Sequence, residues 1–330
     1  VRDSATQTIQ YRCTDGRVVH AELLSREPAD DVGPLPAFLL AHKIVLVAGA
    51  DPVELRQLSV PDGPDDDPQL GYRALDNEAL AGVRLARWDD AGGYPRQMSR
   101  LEGFELPGEV PFVLLEPYRG LPVADVAGQL LQQERRDFQA SLLIALRWLT
   151  ATGLVHRGIS PTSVRWDGCD VQITQFRTSS LVGAPRSVVG SPPWAAREQS
   201  DSRRAIGCLT DRDDVWAVGK LLLFGLHGCE VNREQLNRSP ELAELLDGVF
   251  GPAETRPQAT DLLSRAGIPD PVRHSLSRDE DLEHGREEFR RERARKHSHV
   301  DVAGSTGGPT DPSAVSTRRR SRRLFRRGDR

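Results

Sequence analysis

Residues 153–198 read GLVHRGISPTSVRWDGCDVQITQFRTSSLVGAPRSVVGSPPWAARE, and the rest of the chain can be placed around them. Just upstream, Phe138, Leu142, Leu143, Ala145, Leu146 and Leu149 recur at helical spacing. That spacing predicts a buried helix running directly into Gly153 and His156, its stripe serving core packing. Inside the stretch, an Asp-Gly turn flanked by Asp167 and Asp170 separates two short apolar runs, the second holding Val171 and Ile173. A small hairpin is expected there, with both carboxylates as turn residues.

The chain has 330 residues, 38% of them apolar and 28% charged, which suits one domain-sized core with polar extensions. No run approaches the eighteen or so apolar residues of a membrane span. No signal peptide is read at the N-terminus, and a cytoplasmic protein is expected, with the inner membrane face as a further place for it. Cys13, Cys169, Cys208 and Cys229 are scattered without a C-x-x-C pair, so neither a zinc site nor a disulfide framework is indicated. The net charge of −4 conceals an asymmetry: residues 318–330 hold eight arginines against one aspartate, +7, which leaves −11 for residues 1–317. The description is an acidic body with a basic tail.

The stretch 153–198 resembles the catalytic and activation segments of the eukaryotic-like serine/threonine protein kinase family, and the chain is identified as a degenerate, bacterial (actinobacterial-looking) member. In that family His-Arg-Asp runs into Lys-Pro-x-Asn, then Asp-Phe-Gly, then Ala-Pro-Glu. Here the positions read His156-Arg157-Gly158, Ser160-Pro161-Thr162-Ser163, Gln175-Phe176-Arg177 and Ala196-Arg197-Glu198. The resemblance implies that the catalytic carboxylate is lost at Gly158, and the two metal-holding side chains at Ser163 and Gln175. Phosphoryl transfer rests on positioning and on magnesium held through carboxylates, so neutral side chains at these positions remove its chemistry.

Outside the stretch, Asp213-Asp214-Val215-Trp216-Ala217-Val218-Gly219 resembles the opening of the family's central helix, and Thr255-Arg256-Pro257-Gln258-Ala259 its Arg-Pro-x-Ala. By resemblance, Asp214 bonds the backbone at His156 and Arg157, and Glu198 pairs with Arg256. Gly190, Ser191 and Trp194 stand near the family's substrate-facing position. Val53-Glu54-Leu55-Arg56 is similar to the Val-Ala-Ile-Lys strand, which would put Arg56 in place of the phosphate-binding lysine, with Glu78 of Asn77-Glu78-Ala79-Leu80 as its partner. Arginine's rigid fork makes that a real change. Glu54 and Arg56, two apart on a strand, share a face and are expected to fill the cleft, with Lys43 or Arg56 neutralising Glu54. No glycine-rich loop is found, Gly33 and Gly49 being isolated.

The fold expected on this basis is α+β and bilobal, a small β-rich N-lobe on a larger, mainly helical C-lobe. The divisions are an N-terminal hairpin and loop (1–34), the N-lobe (35–120), the C-lobe (121–272), a charged helix (273–302) and a flexible linker with an Arg-rich tail (303–330). Strands are expected at Ile9–Cys13, Arg17–Leu24, Phe38–Leu40, Ile44–Val47, Val53–Leu58 and Phe112–Glu116, and a helix from about Gly71 to Trp88 after the acidic loop PDGPDDDPQL (61–70).

The function the resemblance implies is that of a pseudokinase: a scaffold or regulatory protein-interaction module, not an enzyme, with no catalytic residue, no metal, and neither ATP nor magnesium bound. The alternative is a weak or non-standard ATP-dependent kinase, or another phosphoryl or nucleotidyl transferase. A second alternative is a nucleic-acid- or membrane-binding protein led by the tail. The expected partners are a signalling or cell-envelope protein and, through Arg318, Arg319, Arg320, Arg322, Arg323, Arg326 and Arg327, an anionic membrane surface or acidic partner. Phosphate on Ser316, Thr317 or Ser321 would cancel part of that tether's charge.

Overall fold

The computed structural model describes residues 7–61, 68–89, 93–190, 192–229, 236, 240–272 and 291. Apart from residue 291, the charged helix, linker, tail arginines and phosphosites expected beyond residue 272, together with Ser191, lie outside the described residues.

Six strands close into an antiparallel barrel in the order β1 (Gln7–Cys13), β2 (Val18–Pro28), β3 (Leu40–Val47), β4 (Pro52–Ser59), β6 (Phe112–Leu115) and β5 (Leu101–Glu105). β1 and β2 form a hairpin turned at Asp15-Gly16, and β1 then pairs with β5 through Arg12↔Phe104 and Cys13↔Gly103, which shuts the sheet. Gly103 is required at that seam. A Cβ there would lie 2.4 Å from the Tyr11 ring and 2.7 Å from the Arg12 carbonyl oxygen. Tyr11, Cys13, Ala21, Ile44, Leu46, Leu55, Phe112 and Leu114 form one core cluster of the barrel.

The bilobal architecture, with a small β-rich lobe on a larger helical one, is therefore not the one formed. The chain is organised on a closed six-stranded barrel, and its helices are few: seven α-helices among the described residues, four of them with seven residues or fewer. The physical reason lies in the first hairpin. Read as a separate N-terminal piece, it in fact supplies two of the six strands, because an open sheet would leave β1 and β5 with unpaired backbone edges. Of the two short runs expected at 38–40 and 44–47, Phe38 and Leu39 lie outside any strand and Leu40 joins the second run in a single strand, β3; β5 carried no strong period-2 signal.

Helix α1 (Pro68–Ala86) packs on the barrel's outside, Leu75 and Ala79 meeting Leu58, Leu101, Val113 and Leu115. Contact is close at Gly82, where an added Cβ would stand 2.3 Å from Leu101. The largest core cluster is built on α3 (Gln132–Ala151) and α5 (Val215–His227), with α2 (Val123–Val126) and the hairpin β9 (Val164–Trp166)–β10 (Val171–Ile173) against them. The α3 stripe of Phe138, Leu142, Leu143, Ala145, Leu146 and Leu149 is wholly buried. β7 (Leu121–Pro122) extends that hairpin to three strands, and β8 (Leu154–Val155) pairs with β11 (Ser180–Leu181). Among the described residues no helix is long and apolar enough to cross a membrane.

Candidate functional site

The segment after β8 is fixed by one carboxylate. Asp214, fully buried at the start of α5, accepts hydrogen bonds from the backbone N–H groups of His156 and Arg157, the latter at 2.8 Å. These bonds hold Arg157 at φ +65°, a left-handed conformation that costs a non-glycine residue roughly 1–3 kcal/mol. Burial pushes the Asp214 carboxyl up to about 6. The His156 ring stacks edge to face on Phe176 at 4.8 Å, meets the Thr174 carbonyl oxygen through Nε2 at 3.0 Å and accepts from Gly158 N–H through Nδ1 at 3.2 Å. It is thus the neutral tautomer with the proton on Nε2, and burial brings its pKa down to about 4.

Gly158 and Ser163 close this loop on itself. The Ser163 hydroxyl donates to the Gly158 carbonyl at 2.8 Å and accepts from Ser160 N–H at 2.9 Å. A Cβ on Gly158 would come within 2.7 Å of the Thr178 hydroxyl, which itself donates to the His156 carbonyl. Gly158→Asp is accordingly expected to lose about 1–3 kcal/mol by overpacking, measured by denaturant unfolding, and to gain no phosphotransfer. A variant as stable as the parent would show that Thr178 gives way freely.

Gln175 also sits at positive φ, +64°, and its amide donates to the Val32 carbonyl at 2.8 Å. The following Phe176 and Arg177 offer their backbone N–H groups to Glu78 on α1, whose carboxyl is 3% exposed and pushed up to about 7 by burial. Glu78 Oε2 has no hydrogen-bond partner among the described residues. The Arg56–Glu78 pair implied by the resemblance is replaced by another: Arg56 grips Asp31 with Nε and Nη2, at 2.6–2.8 Å, and meets Glu54 with Nη1 at 2.9 Å. Hydrogen bonds from Arg56 hold the Asp31 carboxyl below its ordinary range. Glu54, half-exposed, is shared with Lys43 at 2.9 Å, and bonds from Lys43 and then Arg56 lower its pKa.

Asp31 belongs to the β2–β3 connection, and this connection is what sequence reasoning missed. Residues 31–34 lie across the face between β4 and the loop around Gln175. Arg165 on β9 donates to the Asp31 carbonyl at 3.0 Å as well as to Gly120 at 2.7 Å, Gln175 to Val32, and Arg177 to Pro34 at 3.3 Å. Val32 is 2% exposed, and a Cβ on Gly33 would stand 2.8 Å from the Gln175 amide nitrogen. An irregular Asp/Pro/Gly stretch has no periodicity to report, and with Glu78 and Glu54 already assigned to Arg56 nothing in the sequence signalled that a carboxylate would come from this loop.

On the far side of Gly158, Arg256 and Glu198 form a buried pair, their side chains 1% and 14% exposed and Nη1–Oε1 2.5 Å apart. Trp216 of α5 donates to the Pro193 carbonyl at 3.2 Å and lies under the Arg256 guanidinium at 5.5 Å. A second buried pair, Arg186–Asp213 at 3.0 Å, was not foreseen. Between these anchors and the loop at 157–162 lies a cavity of about 520 Å3, reached by Gly158, Gln175, Gly190, Trp194 and Gln199. Asp167 and Asp170 are turn residues: Asp167 Oδ1 accepts from Cys169 and Asp170 N–H, and Asp170 is engaged by Gln97 and Ser141. No known protein-family model matches the chain.

Proposed function

We propose that the chain is a pseudokinase in the functional sense: it does not transfer phosphate and works as a scaffold or regulatory protein-interaction module. The observation that carries this reading is the position of residues 31–34. Arg56 and Gln175, which stand where the resembled family holds the phosphates and a metal ligand, are both spent on the chain's own atoms, Asp31 and the Val32 carbonyl. Glycine and serine at 158 and 163 add no carboxylate for magnesium. Such a face is complete without a ligand, and a surface that needs no nucleotide to hold its shape suits constitutive docking.

The test is thermal unfolding of the full chain with millimolar ATP, with and without magnesium. A ligand at a hundred times its Kd would stabilise by about 2.7 kcal/mol; the expected result is no saturable shift. A clear shift in the parent chain would overturn the reading in favour of a nucleotide-using enzyme. Asp31→Ala separates two causes of a null result: a shift that appears only in the variant means residues 31–34 block an otherwise competent face, and none in either means the chemistry itself is absent.

A further inference from the structure

The barrel is shut along the last two residues of β1 alone. Arg12 and Cys13 pair with Phe104 and Gly103, and β5 stops at Glu105, so the rest of β1 is paired with β2 on one side only. Cys13 N–H donates to the Arg17 carbonyl at 2.8 Å beside the turn, which makes these two a hydrogen-bonded pair. Such pairs alternate with non-hydrogen-bonded ones along an antiparallel ladder. Tyr11, Ile9 and Gln7 therefore bond to β2, whereas Arg12, Gln10 and Thr8 turn their N–H and C=O groups outward. Arg12 meets Phe104 there; Thr8 and Gln10 have no backbone partner on that side among the described residues. Both are exposed, and Ile9 between them is half-buried against the barrel lining.

A row of unpaired backbone groups is a template for another strand, and native edges are commonly guarded by charge, proline or a bulge. Gln7–Gln10 carries no charge and no proline, and its register with β2 is unbroken. The strand also complements itself. A second β1 laid antiparallel, with Thr8 opposite Gln10 and Gln10 opposite Thr8, makes two hydrogen-bonded pairs and hence four backbone bonds. Ile9 then meets Ile9 as the closer, non-hydrogen-bonded pair, Cα atoms about 4.5 Å apart, and each covers the other's half-buried side chain. Centring on Gln10 would need Arg12, which the seam has taken, and centring on Thr8 would carry Gln10 past the described strand. Across the joined sheets each row reads Glu22 and Thr8 of one copy, then Gln10 and His20 of the other. Hydroxyl faces amide in the middle, and like charges do not oppose one another. A foreign peptide would have to match that row, whereas a second copy brings it.

We propose that β1 pairs with β1 of a second copy of this chain, about a two-fold axis at Ile9, joining two barrels edge to edge. The contact is isologous and closes at the dimer. It uses none of the atoms that hold residues 31–34, and it stands whether or not nucleotide binds.

Sedimentation velocity of the full chain across the micromolar range tests it. Four ladder bonds on so short an edge give a reversible dimer, with an expected Kd of about 10–100 µM. Gln10→Pro removes an N–H that faces away from β2, so it spares the barrel ladder but deletes two of the four bonds across the axis. It should weaken association by about tenfold or more while leaving the melting temperature at low concentration near that of the parent. Ile9→Cys gives a second reading that does not depend on the proline variant folding. Mild oxidation should link it into a covalent dimer, beyond any formed by the parent through its own exposed Cys169, Cys208 and Cys229 and beyond any formed by His20→Cys. A chain that stays monomeric throughout overturns the proposal, whether a strand of another protein then takes the edge or none does. Dimerisation that a folded Gln10→Pro variant leaves unchanged overturns it as well, as does Ile9→Cys linking no better than the controls.

Discussion

Arg256→Ala should lower the stability of the folded chain by about 3–5 kcal/mol, the cost of removing one partner from a buried ion pair and leaving the other charge behind. The site supports the upper part of that range. The Arg256 side chain is 1% exposed, holds Glu198 with Nη1, donates to the Gly251 carbonyl with Nε at 3.1 Å and covers the Trp216 ring. Alanine would strand a Glu198 carboxylate that is 14% exposed and would open a hole beside an indole. At about 2–4 °C per kcal/mol for a chain of this size, the melting temperature should fall by about 10 °C. Replacing both members, Glu198→Leu with Arg256→Met, should recover most of the loss, since apolar pairs of similar volume often do as well as buried ions. A single variant within about 1 kcal/mol of the parent would mean that Glu198 finds water or another cation, and the pair would then not be what anchors residues 193–198.

Glu78→Gln is expected to act in the other direction. The Glu78 carboxyl has its pKa raised from 4.5 to about 7, chiefly by burial. The folded state therefore holds this proton more tightly than the unfolded state. Below pH 4.5 both states carry it and nothing is lost; as pH rises from 4.5 to 7 the unfolded chain ionises first, and stability falls; above 7 the penalty is complete, at most about 3 kcal/mol. Glutamine has no charge to bury and keeps an oxygen for the N–H groups of Phe176 and Arg177. Its amide nitrogen, standing where Oε2 has no partner, returns part of the gain. The net expectation is a rise of about 1–2 kcal/mol at pH 8 that vanishes toward pH 4.5. Asp214, raised to about 6, slopes in the same sense as Glu78. His156, lowered from 6.5 to about 4, slopes oppositely, losing stability as pH falls between those values. The difference between variant and parent cancels both. Urea unfolding of the two chains across pH 4.5–8 gives that difference directly, and one that does not change with pH would remove Glu78 as a buried titrating group.

The sequence made local structure easy to read wherever periodicity was strong. The α3 stripe and the hairpin turned at Asp167-Gly168 lie where spacing and turn chemistry put them, because a 3.6-residue repeat and an Asp-Gly pair are short-range signals. The architecture was not legible in the same way. Barrel closure depends on Cys13 meeting Gly103, a pairing between residues far apart in sequence, and a resemblance centred on residues 153–198 says nothing about it. The partner of Arg56 was missed for a related reason. Glu78 was suggested by family pattern, whereas Asp31 comes from an aperiodic loop whose position is set by carbonyl bonds to Arg165 and Gln175. Such bonds use the backbone of the loop, and backbone groups are the same in every sequence.

The barrel seam also places a clock on the nascent chain. β1 is made first, but its outer edge pairs only with β5, and Cys13 waits for Gly103, 90 residues later. At the roughly 5–20 residues per second of synthesis, that is an interval of about 5–20 s in which a finished hairpin shows an unpaired edge and an incomplete hydrophobic lining. Non-local closure of this kind is slow by its topology, whatever the final stability. The chain is thus most exposed to mispairing before the loop after β8, the β9–β10 hairpin and α5 have been made, and whatever guards it then must recognise the open edge of β1 and not the finished site.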